Sequence, residues 1–96
     1  MVSRKLVVLI SSGLHLRPIS VLCNRAIDFK SSITIRIEEK SVNAKSVLGV
    51  LSACVKYQDE IELVCEGPDE VEALETLSNM ITSGLGDEFI KKVVAK

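Results

Sequence analysis

Alternating apolar and polar positions mark three stretches of the chain as half-buried strands. In ITIRIE, residues 33–38, Ile33, Ile35 and Ile37 fall on one face and Thr34, Arg36 and Glu38 on the other, the period of two of a pleated strand. IELVCE, residues 61–66, separates Ile61, Leu63 and Cys65 from Glu62 and Glu66 in the same way. KLVVLI, residues 5–10, is short and rich in β-branched side chains. A fourth short strand, KSVN at 40–43, is placed to pair back on 33–38 through a tight turn at Glu38–Glu39.

Between these stretches the period lengthens. From Arg17 to Phe29, Leu22, Ala26 and Phe29 recur at helical spacing with Ile19 and Cys23 beside them. Pro18 fits the first turn of that helix, where its missing N–H is no loss. SVLGVLSAC, residues 46–54, predicts a short helix capped by Ser46. DEVEALETLSNMITSG, residues 69–84, predicts the longest one. Asp69 and Glu72 form a capping-box pattern, and Val71, Leu74, Leu77 or Ser78, and Ile81 make its buried stripe. Gly84 is placed to end it in the left-handed conformation. The order strand, helix, strand, strand, helix, strand, helix predicts a two-layer α+β sandwich. Its helices cover one sheet face, and the polar face is left to water.

Composition narrows the class of protein. Ninety-six residues with a 47% hydrophobic fraction suffice for one core. The formal net charge of −1, without a cluster of Lys or Arg, argues against a nucleic-acid binder, which must neutralise phosphates. No apolar run approaches the roughly 18 residues that a membrane span needs. MVSRKLVVLISSG has a basic start and a short apolar run but no clean small-residue cleavage site, so it reads as a strand. Cys23, Cys54 and Cys65 are odd in number, widely spaced and set among apolar residues. That pattern suits buried free thiols in a cytoplasmic protein better than a disulfide scaffold or a zinc site. One histidine with scattered carboxylates also makes a poor metal site.

The one histidine carries the candidate chemistry. SSGLHLRPIS, residues 11–20, ends a strand, turns at a glycine and starts a helix, which places His15 at the helix N-terminus. Unbonded amides and the helix dipole favour an anion there. Arg17 adds a planar fork of donors suited to phosphate oxygens. A ring nitrogen as nucleophile, anion-binding amides and a guanidinium fit phosphoryl transfer through His15, a chemistry made largely of positioning and charge stabilisation. The simpler reading makes His15 a loop residue and Arg17 a solvated charge.

GLHLRPIS, residues 13–20, resembles the active-centre signature of the HPr family, the histidine-containing phosphocarriers of the bacterial phosphoenolpyruvate-dependent sugar phosphotransferase system. KSVNAKSVLGVLS, residues 40–52, resembles the family's regulatory-serine region, and GPDEVEAL with the later SGLGD resembles its last helix and end. The resemblance implies a four-stranded antiparallel sheet with three helices on one face, over residues 1–88, with 89–96 as a C-terminal extension. His15 would take a phosphoryl group from enzyme I on its Nδ1 atom and pass it to IIA components. Arg17 and the amides of Leu16 and Arg17 would hold the phosphoryl oxygens. Such a protein is a stoichiometric carrier rather than an enzyme, cytoplasmic and monomeric, and holds no metal or cofactor.

Ser46 would be the target of an HPr kinase/phosphorylase, although helix capping alone explains a serine there. Leu16, Ile19, Val47, Leu48 and Leu51 supply more apolar side chains near the two helix starts than a small core requires, while Val50 reads as core. The resemblance makes the exposed ones among them, with Ser20, a docking surface for partner proteins. Four positions depart from the family pattern: Leu16 stands where alanine is usual, and Glu39, Cys54 and Gln58 where glycine is frequent. A regulatory or nitrogen-type paralogue, and an anion-binding module without transfer chemistry, are the alternatives.

Overall fold

Strand pairing sets the frame of the protein, seen here in a computed structural model that describes residues 1–11 and 13–85. The chain runs β1 (Val2–Val7), α1 (Leu16–Ala26), β2 (Ser32–Ile37), β3 (Lys40–Asn43), α2 (Val47–Ser52), β4 (Glu60–Glu66) and α3 (Glu70–Thr82). The four strands form one sheet in the order β1-β4-β2-β3, with every neighbouring pair antiparallel. This is the two-layer α+β arrangement expected. The proposed boundary at residue 88 and the extension 89–96 lie outside the described residues.

Register follows the alternation of side chains. Ile33 lies opposite Cys65, and Ile35 opposite both Leu63 and Val42. Ile33, Ile35, Ile61, Leu63 and Cys65 are buried, as is Leu6 on β1. Ser32, Thr34, Arg36, Glu60, Glu62 and Glu66 fall on the other face, exposed or half-buried. β1 starts and ends three residues earlier than the apolar run predicted, because its six residues pair with Glu60–Cys65 of β4. Val8 and Ile10 continue its buried side beyond that pairing. β2 and β3 meet at the predicted Glu38–Glu39 turn, with Ile37 opposite Lys40. The positive backbone angle there falls on Glu38 (φ 53°), not on Glu39.

The helices close the second layer. α1 buries Pro18, Ile19, Leu22, Cys23 and Ala26, and Phe29 is buried just beyond it. A fully buried Ile or Leu contributes about 1.5–3 kcal/mol. In α3 the buried residues are Ala73, Leu74, Leu77, Ser78 and Ile81. Val71, expected in that stripe, is 63% exposed. The helix is turned so that Ala73 and Ser78, both small, lie against the sheet layer, and this rotates Val71 to the rim. Gly84 follows the helix with φ 102°, as its end requires.

Asp69 does not act through the expected capping box. It occupies the N-cap of α3 but makes no side-chain cap bond. Its carboxylate instead accepts the backbone N–H groups of Lys30 and Ser31 and the Ser31 hydroxyl. These bonds, the Ser31 hydroxyl first, hold the Asp69 carboxyl at about 2. The cysteines also divide. Cys23 and Cys65 are buried, and burial raises both thiols, with Glu70 and Asp69 adding to the effect at Cys65. Cys54 is exposed, contrary to expectation, because it sits in the loop after α2 with φ 54°. Among the described residues no helix is long and apolar enough to cross a membrane.

Candidate functional site

His15 is the N-cap of α1, with extended backbone angles (φ −101°, ψ −174°), and its side chain is exposed. Its carbonyl accepts the Ile19 N–H at 3.0 Å, the first bond of the helix. The loop before it is tightly determined. The Gly13 N–H donates to the Ile10 carbonyl (2.8 Å), the His15 N–H to the Gly13 carbonyl (3.1 Å), and the Leu14 N–H to the Val55 carbonyl (2.9 Å). Gly13 has φ 74°, and a Cβ there would lie 2.8 Å from the Val55 oxygen, so only glycine permits this approach. Leu14 and Pro18 are buried on either side of the exposed run His15, Leu16, Arg17. The site is therefore presented outward from two anchors in the core.

Leu16 and Arg17 supply the only N–H groups of the first turn that α1 cannot use itself, since Pro18 has none. Among the described residues neither amide has an acceptor. The dipole of an eleven-residue helix adds positive potential at the same end. Arg17 is exposed and, among the described residues, pairs with no carboxylate. An exposed imidazole, two amides without an acceptor among the described residues, and a guanidinium thus gather at one end of one helix. That set can attack a phosphorus atom and hold the oxygens of the phosphoryl group it acquires.

Ser46 is the N-cap of α2, and its Oγ accepts the Gly49 N–H at 3.0 Å. A Cβ on Gly49 would lie 3.2 Å from that oxygen, which makes the cap a close fit. The segment before it is held by the Lys45 N–H on Asn43 Oδ1 (2.9 Å) and by Lys45 Nζ on the Phe29 carbonyl (2.7 Å). The side chain is half-buried.

The docking residues separate by face. Leu48 is 77% exposed, Leu16 59% and Leu51 41%. Val47 and Ser20 are half-buried, and the Ser20 hydroxyl donates back to the Leu16 carbonyl at 2.8 Å. Ile19 does not belong with them. It is fully buried, because it shares the inward face of α1 with Leu22, Cys23 and Ala26, three, four and seven residues on. α1 and α2 pack on each other, which places the exposed leucines on two adjoining helices. Sequence reasoning missed Val55, whose contribution is a carbonyl oxygen and so leaves no side-chain signal. Among the described residues no group of three His, Cys, Asp or Glu side chains could hold a metal ion.

Comparison with known proteins identifies the family of the chain and of its fold. The profile of a family described as "PTS HPr component phosphorylation site" matches residues 2–83. The chain is 43% identical over 70 residues to the phosphocarrier protein HPr of Lysinibacillus sphaericus, covering 73% of this chain and 80% of that protein. It is 38% identical over 78 residues to the HPr-like protein Crh of Bacillus subtilis (strain 168), covering 81% and 92%. The crystal structure of HPr from Thermoanaerobacter tengcongensis superposes with a TM-score of 0.86 at 35% identity, over 90% of this chain and 97% of that one. The chain therefore belongs to the HPr family of the phosphotransferase system, whose members carry phosphoryl groups and are not enzymes in their own right.

Proposed function

We propose that this chain accepts a phosphoryl group from phosphorylated enzyme I on Nδ1 of His15 and passes it to IIA components of sugar permeases. The observation that carries this reading is the exposed His15 at the head of α1, next to the Leu16 and Arg17 amides, which have no acceptor among the described residues, and the Arg17 guanidinium. The ring lone pair attacks phosphorus in line as the bond to the donor breaks. The amides and guanidinium hold the equatorial oxygens through both transfers. Leu16, Leu48, Leu51 and the exposed part of Val47 form the apolar ground on which partners dock, with Ser20 at its edge. An apolar patch of this small extent suits a carrier that must release each partner quickly.

Ser46 is the proposed regulatory site, phosphorylated by an HPr kinase/phosphorylase. A phosphate on its oxygen gains from the α2 amides it already caps, and its charge, about −2, lies beside the docking leucines, where it opposes acidic partners. The protein acts as a cytoplasmic monomer. Incubation with phosphoenolpyruvate and enzyme I should give an acid-labile phosphate that is absent from His15→Ala. ATP and the kinase should give an acid-stable phosphate absent from Ser46→Ala. No acid-labile label with a competent enzyme I overturns the carrier role. A Ser46 label in that same case favours a purely regulatory paralogue.

A further inference from the structure

The loop joining α2 to β4 is strained, and a single side chain closes it. Cys54 and Gln58 adopt φ 54° and 72° without being glycine, a region in which Cβ crowds the following carbonyl oxygen. Lys56 to Asp59 form a β-turn, with the Asp59 N–H on the Lys56 carbonyl at 3.0 Å. A positive φ at its third residue, Gln58, is what glycine normally supplies in a type II turn. Asp59 also closes the turn from the other side, because its Oδ2 accepts the Lys56 N–H at 2.8 Å. Both backbone polar groups of Lys56 are thus held by one residue. The Asp59 carbonyl in turn accepts the Val8 N–H (2.9 Å), and the Gln58 N–H donates to the Val8 carbonyl (2.7 Å), which fixes the turn to the chain just beyond β1.

This turn abuts the His15 loop. Val55, immediately before Lys56, provides the carbonyl that binds the Leu14 N–H, and Leu14 immediately precedes His15. A Cβ on Gly13 would lie 2.8 Å from the Val55 oxygen and 3.0 Å from the Lys56 Cα, so the two loops touch backbone to backbone. Any shift of Lys56 reaches Gly13 and Leu14 directly.

We infer that Asp59 is a positioning residue for His15: by pinning Lys56, it fixes the Val55 carbonyl that sets the backbone leading into the phosphoryl acceptor. The inference rests on the carrier function proposed above. Displacing a reacting atom by a fraction of an ångström lowers the rate of an in-line transfer without weakening docking.

Asp59→Ala and Asp59→Asn separate this role from simple stabilisation, with Asp69→Ala, at the other end of β4, as a destabilised control. In Asp59→Ala the initial rate of His15 phosphorylation at saturating enzyme I should fall about tenfold, with the half-saturating concentration within about twofold. Asn keeps the acceptor for the Lys56 N–H and should restore the rate. In the unphosphorylated protein, NMR should show faster exchange of the Leu14 amide and displaced His15 ring resonances in Asp59→Ala, but not in Asp69→Ala. Unchanged Leu14 exchange and His15 resonances in Asp59→Ala, or equal changes in the control, overturn the inference. No phosphate on the wild-type protein, together with the NMR effect in Asp59→Ala, overturns the carrier reading and leaves the positioning intact. Should Asp59→Ala not fold, Asp59→Ser, too short to reach the Lys56 N–H, takes its place with the same expected outcomes.

Discussion

Leu16 and Ile19 lie three residues apart in α1, yet one faces solvent and the other the core. The helix start explains the difference. Leu16 lies in the exposed first turn, between the buried anchors Leu14 and Pro18, whereas Ile19 shares the inward face with Leu22 and Cys23. Their truncations should therefore report different quantities. Ile19→Ala leaves a cavity and should destabilise the fold by about 2–4 kcal/mol in urea melts, with a loss of partner affinity only as folding is lost. Leu48→Ala, at the most exposed of the three leucines, should change stability by less than about 0.5 kcal/mol. It should weaken enzyme I binding by about fivefold, roughly 1 kcal/mol, measured by calorimetry. An affinity loss in Leu48→Ala no larger than in a distant surface variant such as Val71→Ala would remove α2 from the docking surface.

Among the elements, the strands were the most legible. Ile33, Ile35 and Ile37 alternate with polar residues because one sheet face is solvated, and this fixes which way each side chain points. The period of two does not say which strand is the neighbour. Pairing of β1 with β4, about sixty residues on in the chain, is therefore visible only in the structure. Ser46 was legible as a cap because a cap bond is local. The connections carry backbone costs that sequence shows only as missing glycines. Glu38, Cys54 and Gln58 each hold a positive φ, at about 1–2 kcal/mol per residue for the crowded Cβ. Part of that is returned by glycine's greater freedom in the unfolded chain. Glu38→Gly and Gln58→Gly should each stabilise the protein by about 0.5–1 kcal/mol and raise Tm by a few degrees. Calorimetry showing either variant to be less stable than wild type would mean that its side chain makes a compensating contact worth more than the strain. Glu38, which takes no part in the hydrogen bonds of Asp59, provides the cleaner measure.

Across the whole molecule, long-range polar contacts join parts that no local pattern connects. The capping-box spacing pairs Asp69 with Glu72 because it is a local pattern. The bonds of Asp69 instead reach Lys30 and Ser31, thirty-nine and thirty-eight positions away, and tie the α1–β2 connection to the start of α3. Gly67 lies against the same point, where a Cβ would be 2.6 Å from the Ser31 Cα. The Ser31 hydroxyl also accepts the Asp69 N–H at 3.2 Å. The clamp requires an ionised carboxylate, since three donors point at its two oxygens, and Asp69 titrates at about 2 against an ordinary value of 3.8. The sign follows from that depression: the unfolded chain binds the proton more readily, so the contribution is complete above pH 3.8 and is lost as pH falls through about 2. Glu70 is lowered as well, first by accepting the Gly67 N–H and then by the N-terminal ammonium, and acts in the same direction. Urea melts of wild type and Asp69→Asn should therefore differ most near neutrality, with the wild type the more stable. The gap should narrow below pH 3.8 and nearly vanish near pH 2. A gap that stays constant over that range would show that the clamp acts through the shape of the side chain alone and not through its charge.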